Sequence, residues 1–181
     1  AQPQPNGIAE ALIIGADFIG NGPVALILGD NILFGSGLTE KLERATARTD
    51  GATVFAYPVT DPGRFGVVEL DDEGNPVSIE EKPAKPRSNL ALTGLYFFDS
   101  GAADIARGLT PSGRGELEIT DVNNSYAEWG TLRHHVVDGW WTDAGTIQSL
   151  YHATQLVAAA EDAPVLRMPE VGASPPEGGG P

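Results

Sequence analysis

The chain has no cysteine, no long apolar run and few basic residues, and each shortage excludes a class of protein. The absence of cysteine from all 181 residues excludes a disulfide framework and a thiolate zinc site. No apolar run approaches the roughly 20 residues of a membrane-spanning helix. The opening Ala-Gln-Pro-Gln-Pro-Asn-Gly lacks the basic start and apolar centre of a signal peptide. We therefore predict a cytoplasmic protein with no membrane partner.

Basic side chains are scarce relative to acidic ones. The sequence has 11 Lys and Arg against 25 Asp and Glu, which gives a formal net charge of -14. Nucleic acids and anionic membranes are bound by basic surfaces, so no nucleic-acid partner is expected. A phosphorylated ligand would need a divalent cation, helix N-termini or a few well-placed Lys and Arg side chains.

The order of the apolar patterns predicts an α/β fold with a mixed, mostly parallel central sheet plus a β-hairpin. The predicted helices cover residues 8–19, 38–48, 102–108, 116–129 and 147–160. The predicted strands cover residues 24–28, 53–59, 67–70, 76–82, 90–98 and 132–137. We predict one domain over residues 1–161 and a disordered Gly- and Pro-rich tail over residues 162–181.

Two carboxylates follow apolar strands at the points where those strands end. Asp30 comes after the continuous apolar run 24–28, which is typical of a central parallel strand buried on both faces, and Asp143 precedes the helix 147–160. Ligands of open α/β sheets bind beyond the carboxyl ends of strands, and two such carboxylates plus substrate phosphates suit Mg²⁺. An ordinary turn with a solvated Asp also explains Asp30. A sugar-binding module or a phosphatase would fit the pair, because spacing in sequence does not show proximity.

Two further positions are candidates for ligand contact. Glu80 and Glu81 end the second hairpin strand, and strand alternation puts them on opposite faces, so at most one can point into a given site. A solvated strand end is the alternative. Gly94 lies inside the predicted strand 90–98, where glycine often marks the close approach of a ligand or another backbone.

Seven motifs, in this order, resemble those of the sugar-1-phosphate nucleotidyltransferases. The resemblance extends from Gln2 to about Ala160. The motifs are Gln4-Pro-Asn-Gly-Ile-Ala-Glu-Ala11, Leu28-Gly-Asp-Asn-Ile32, Phe65-Gly-Val-Val-Glu69, Glu80-Glu-Lys-Pro83, Thr93-Gly-Leu-Tyr-Phe97, Gly115-Glu-Leu-Glu-Ile-Thr-Asp121 and Trp141-Thr-Asp-Ala-Gly-Thr146.

The resemblance implies a Rossmann-like three-layer sandwich and an enzyme of nucleotide-sugar biosynthesis of the dTDP-rhamnose type. The implied reaction is Mg²⁺-dependent nucleotidyl transfer from dTTP to glucose-1-phosphate, which gives dTDP-glucose and pyrophosphate. The resemblance also implies a homo-oligomer, a tetramer in the family. By the same resemblance Asp30 and Asp143 would be the catalytic metal ligands, and Gln2, Gly7 and Asp30 would bind the nucleotide. The sugar phosphate would contact Gly66, Glu81, Lys82, Leu92, Thr93 and Gly94.

The family's Gly-rich loop, which wraps the triphosphate with its Arg and Lys, has no counterpart in the printed sequence. We therefore expect an N-terminal truncation, and little pyrophosphate release from this chain alone. The alternative function is a non-catalytic sugar-phosphate or nucleotide-binding domain, or an inactive fragment.

Overall fold

A computed structural model describes residues 2–159, so the predicted tail 162–181 and the end of the predicted domain 1–161 lie outside the described residues. The helices are α1 Glu10–Ile14, α2 Ala16–Ile19, α3 Leu38–Thr46, α4 Ala102–Gly108, α5 Ile119–Glu128 and α6 Ile147–Ala159. The strands are β1 Val24–Ile27, β2 Asn31–Gly35, β3 Ala52–Pro58, β4 Gly66–Leu70, β5 Pro76–Glu81, β6 Leu90–Phe98, β7 Leu132–Val136 and β8 Gly139–Asp143. The predicted helix 8–19 is thus two short helices that meet at Gly15. None of the helices within residues 2–159 is long and apolar enough to cross a membrane.

The central sheet has six strands in the order β5-β4-β6-β3-β7, with β1 beside β6. The α/β class, the mixed sheet and the β4–β5 hairpin are therefore confirmed. The prediction of a mostly parallel sheet is wrong for the described strands, because β3–β7 is the one parallel pair among them. The reason is the position of β6, which lies between β1 and β3 and is antiparallel to both. β1 and β3 consequently run in the same direction without pairing.

Strand β1 also differs from the doubly buried central strand that its apolar run predicts. It pairs with β6 from Val24↔Phe98 to Ile27↔Leu95, and no other described strand pairs with it. Its residues alternate between half-buried and exposed, and Ile27 is 62% exposed. A continuous apolar run shows that a strand is compatible with burial, but it does not show how many neighbours the strand has.

Side chains pack on both faces of the sheet, which gives the three layers. On one face the main core contains Leu12, Val54, Tyr96, Val122 and Tyr126, contributed by β3, β6 and the helices α1 and α5. On the other face a smaller cluster surrounds the fully buried Phe55 and receives side chains from α3 and β2. Because successive strand residues point to opposite faces, Val54 and Phe55 serve different cores.

A second, two-stranded antiparallel sheet of β2 and β8, hereafter the β2–β8 ribbon, lies beside the central sheet. Its register runs from Asn31↔Asp143 to Gly35↔Gly139, and the Phe34 and Trp140 rings stack on it at 5.5 Å. The sequence patterns do not predict β2 as a strand. The ribbon positions the site, because it brings the chain beyond β1 next to the end of β8.

Candidate active site

A cleft of about 260 Å³ opens where β1, β5 and β8 end. Seven of the ten predicted site residues line it: Asp30, Gly66, Glu81, Lys82, Leu92, Gly94 and Asp143. The structure thus brings together residues from five separate strands or their ends: β1, β4, β5, β6 and β8. This placement follows the rule that ligands of α/β sheets bind at strand ends.

Asp30 and Asp143 lie side by side at one end of this cleft. The backbone carbonyl of Asp30 accepts a hydrogen bond from the N–H of Ala144 at 2.6 Å, which joins the two strand ends. A methyl group on Gly145 would lie 3.3 Å from Oδ2 of Asp30 and 3.8 Å from Oδ2 of Asp143. The two oxygens can therefore be no further apart than the sum of those distances, and both face one small space.

The donor set of this pair is compatible with a magnesium ion. Within residues 2–159 no group of three or more His, Cys, Asp and Glu side chains could hold a metal, so the protein offers two carboxylates. Neither carboxylate forms a salt bridge among the described residues. Mg²⁺ is typically bound through one or two carboxylates and keeps positions for water and substrate phosphates, so the residues fit this ion.

Glu81 and Lys82 lie on another wall of the same cleft. Glu80 is exposed and turned away, which agrees with the prediction that at most one of the two glutamates enters the site. Lys82 has φ +45°, and it is the one described residue other than glycine with positive φ. This sparsely populated conformation ends the strand alternation, so the side chains of Glu81 and Lys82 both line the cleft, with Oε1 and Nζ 3.9 Å apart.

The environment of Glu81 is unfavourable for its charge. Burial raises the pKa of Glu81, the nearby carboxylate of Glu118 raises it further, and the positive charges of Lys82 and Arg114 oppose this shift. Oε2 of Glu81 would lie 3.3 Å from a β-carbon at Gly66, so the missing side chain at Gly66 leaves the carboxylate accessible. A ligand that donates hydroxyl hydrogens to Glu81 would compensate for the lost water.

The predicted segment Leu92-Thr93-Gly94 divides between the cleft and the core. Leu92 and Gly94 line the cleft, whereas Thr93 is fully buried and its Oγ1 donates to the carbonyl of Phe55 at 3.0 Å. Thr93 does not line the cleft, and the contact predicted for it with the sugar phosphate stays a prediction. Gly94 has φ +71°, and a β-carbon there would lie 2.7 Å from Nδ2 of Asn31. The close approach predicted at Gly94 exists, and its partner is a side chain.

Gln2 and Gly7 line an adjoining depression of about 230 Å³, which shares Ile8 with the cleft. Nε2 of Gln2 donates to the carbonyl of Gly7 at 3.0 Å and to Oε2 of Glu10 at 2.6 Å. Gly7 has φ +102°, and a β-carbon there would lie 2.3 Å from the carbonyl oxygen of Leu117. Both residues thus have structural contacts in addition to their predicted nucleotide contact, which stays a prediction.

Sequence reasoning missed Arg64 and Asn31, which line the cleft, and Arg114, which lies outside its lining and pairs with Glu81. The guanidinium of Arg114 pairs with Glu81 at 3.4 Å, with Glu118 at 3.5 Å and with Glu116. Arg64 lines the cleft above the Phe65 ring, 5.3 Å from its centroid. For Arg114 the available signal was its position between two glycines in a chain with few basic residues. Asn31, the third, lies between Asp30 and Trp141.

The protein has an α/β fold whose cleft lies at strand ends and contains acidic side chains. Residues 1–160 match the family model described as nucleotidyl transferase, and the chain belongs to that family. The Rossmann-like three-layer fold that the resemblance implies is shared with the solved structures that match this chain.

Two curated relatives of the chain have the same name. The chain is 53% identical over 163 residues to the glucose-1-phosphate thymidylyltransferase of Neisseria gonorrhoeae, covering 89% of this chain and 57% of the relative. It is 54% identical over 158 residues to the enzyme of that name from Xanthomonas campestris pv. campestris (strain B100), covering 86% and 54%. The chain thus spans little more than half the length of the curated relatives it matches.

A solved structure has the same fold. A crystal structure from Bacillus anthracis, assigned as a glucose-1-phosphate thymidylyltransferase in complex with a sucrose, matches with a TM-score of 0.76 and 45% identity. The match covers 86% of this chain and 62% of that chain.

Proposed function

We propose that the whole protein transfers a thymidylyl group from dTTP to glucose-1-phosphate. The observation that carries the proposal is one cleft with the Asp30 and Asp143 carboxylates at one end and the Glu81 and Lys82 side chains on another wall. The names of the relatives support the choice of substrates. The product, dTDP-glucose, would enter nucleotide-sugar biosynthesis of the dTDP-rhamnose type.

In the proposed reaction a phosphate oxygen of the sugar phosphate attacks the α-phosphorus of dTTP. The bond from that phosphorus to the β-phosphate oxygen breaks, and pyrophosphate leaves. Glu81 accepts hydrogen bonds from sugar hydroxyls. The ammonium of Lys82 and the guanidinium of Arg64, which lines the same cleft, attract the sugar phosphate into an otherwise acidic protein. Positioning and electrostatic stabilisation supply most of the rate in such transfers.

Asp30 and Asp143 are the proposed ligands of Mg²⁺. When bound, the ion neutralises phosphate charge and orients the reacting groups. The carboxylates themselves exclude other anions from this end of the cleft, because both face one space. We further propose that the protein is a homo-oligomer, on the family resemblance, and light scattering on the purified protein tests this.

The sugar end of the site can be tested by binding alone. We expect Glu81→Ala to weaken binding of glucose-1-phosphate to the 181-residue chain by about 1–3 kcal/mol, because a buried hydroxyl partner is lost. Glu80→Ala is the matched control, since Glu80 is adjacent but turned away. Calorimetric titration provides the dissociation constants. Equal effects of the two substitutions, or no binding by the unsubstituted chain, would contradict the assignment.

The catalytic end is tested by pyrophosphate release from dTTP and glucose-1-phosphate in the whole protein with Mg²⁺. We expect Asp30→Asn and Asp143→Asn each to lower the rate by at least about a hundredfold, the range for losing one preorganised electrostatic group. Asp72→Asn, in the exposed turn of the hairpin, is the control and should retain the rate. A transferase that retains its activity in both cleft variants would have its metal site elsewhere.

A further inference from the structure

We propose that Asn31 is a positioning residue that orients the carboxylate of Asp30, and that the indole of Trp141 fixes the orientation of Asn31. The inference rests on the proposed function, in which Asp30 binds a divalent cation. It concerns three side chains joined by two hydrogen bonds. Nε1 of Trp141 donates to Oδ1 of Asn31 at 2.8 Å, and Nδ2 of Asn31 donates to Oδ1 of Asp30 at 2.8 Å.

The chemistry of the indole determines which way the Asn31 amide points. An indole N–H can only donate, whereas an asparagine amide has one end that accepts and one that donates. The end of Asn31 that faces Trp141 must therefore be its oxygen. The nitrogen is then necessarily turned to Asp30, where a carboxylate can only accept. A rotated amide would lose both hydrogen bonds.

The second hydrogen bond determines which oxygen of Asp30 remains available. Oδ1 of Asp30 is used by Asn31, while Oδ2 is directed at the space near Gly145 that Oδ2 of Asp143 also faces. The carboxylate of Asp30 thus presents one defined oxygen to the shared space. Partners of this kind hold metal ligands in their binding orientation, and their removal typically costs 10–100-fold in metal affinity or activity.

Packing holds Trp141 and Asn31 in place. Trp141 is 8% exposed, with its ring against Phe65 at 5.1 Å between centroids. A β-carbon at Gly94 would lie 2.7 and 2.9 Å from the amide nitrogen and carbon of Asn31, so this glycine is what makes room for the amide. Asn31 is therefore confined between the strand β6 and the indole, which suits a residue that must hold one orientation.

The test measures Mn²⁺ binding to the 181-residue chain by electron paramagnetic resonance, without substrate. We expect Asn31→Leu, which keeps the branching at the γ-carbon but removes the amide, to raise the Mn²⁺ dissociation constant at least about tenfold. Trp141→Phe, which keeps an aromatic ring but removes the N–H, should raise it in the same direction. Trp140→Phe is the matched control: its ring stacks on Phe34, and it should leave the constant within about twofold.

A second measurement follows metal binding in the unsubstituted chain itself. Addition of Mg²⁺ to the unsubstituted chain should move the indole N–H resonance of Trp141 in a ¹H–¹⁵N spectrum, because the ion polarises Asp30 and, through it, Asn31. The spectrum of Trp141→Phe assigns that resonance, and the resonance of Trp140 should not move. Thermal unfolding of each variant verifies that it is folded.

The outcomes separate this inference from the proposed function. If Asp30→Asn weakens Mn²⁺ binding but Asn31→Leu and Trp141→Phe bind it as the unsubstituted chain does, the positioning role is wrong and the metal site remains. If the unsubstituted chain binds no Mn²⁺, or Asp30→Asn binds it equally well, the metal site itself is wrong and the positioning role with it.

Discussion

Gly94→Ala is the sharpest test of the geometry at the cleft. Two separate costs follow from the structure. The backbone of Gly94 has φ +71°, where an L-residue other than glycine pays roughly 1–2 kcal/mol. The new methyl group would also lie 2.7 Å from Nδ2 of Asn31 and 3.0 Å from Cδ1 of Leu28, and such overpacking costs about 1–3 kcal/mol.

The two costs can be separated with a second glycine. Gly130 has nearly the same backbone angle, φ +68°, but a β-carbon there would meet nothing within 4 Å. Gly130→Ala therefore has the conformational cost of about 1–2 kcal/mol without the overpacking. Both substitutions restrict the unfolded chain equally, so that contribution cancels in the comparison.

The assay is urea unfolding followed by circular dichroism, with the free energy of unfolding extrapolated to water. We expect Gly94→Ala to lose about 2–5 kcal/mol in total, and to lose more than Gly130→Ala by about 1–3 kcal/mol. Equal losses in the two variants would show that Asn31 and Leu28 do not confine Gly94. The claim that close packing at Gly94 confines the amide of Asn31 would then be wrong.

Three further predictions concern ionisable side chains. Burial lowers the pKa of His134, and burial together with the positive charges of Lys41 and Arg44 lowers that of His135, so the unfolded state binds more protons. The free energy of unfolding should therefore fall as the pH drops below about 6.5. His134→Gln should make the free energy of unfolding, measured by urea titration, depend less on pH. Arg114→Gln should raise the pKa of Glu81 further, as measured by carboxyl NMR titration, whereas Arg107→Gln, remote from Glu81, should not. In the whole protein Glu81→Ala should raise the KM for glucose-1-phosphate more than the KM for dTTP; equal increases would make Glu81 structural.

The strand-end carboxylates are the part of the site that the sequence predicts best. Asp30 and Asp143 each follow an apolar strand, and the general rule for α/β sheets makes both of them candidates. The motifs then add Glu81 and Lys82, and the structure places both in the cleft. The hairpin and most helices were predictable for a similar reason, since their patterns are local and strongly periodic.

The relationships between distant segments were not predictable. The hydrogen bond from Trp141 to Asn31 joins residues 110 positions apart, and it depends on the register of the β2–β8 ribbon. The five residues of β2 do not alternate clearly between apolar and polar, so the sequence gives no strand pattern there. The antiparallel insertion of β6 between β1 and β3 is equally non-local, because an apolar run specifies burial but neither a neighbour nor a direction.

The β2–β8 ribbon makes the carboxylate pair a reporter of the completed fold. Asp30 and Asp143 come from segments separated by most of the chain, and they meet only when Asn31 pairs with Asp143 across the ribbon. Pairing at such a sequence separation closes a long loop, which costs entropy before any contact offsets it. A chain that has formed its central sheet but not the ribbon therefore contains both acids and no site. The amount of bound ligand, for any ligand that requires both carboxylates, therefore measures the fraction of molecules that have formed the ribbon, not the fraction that have secondary structure.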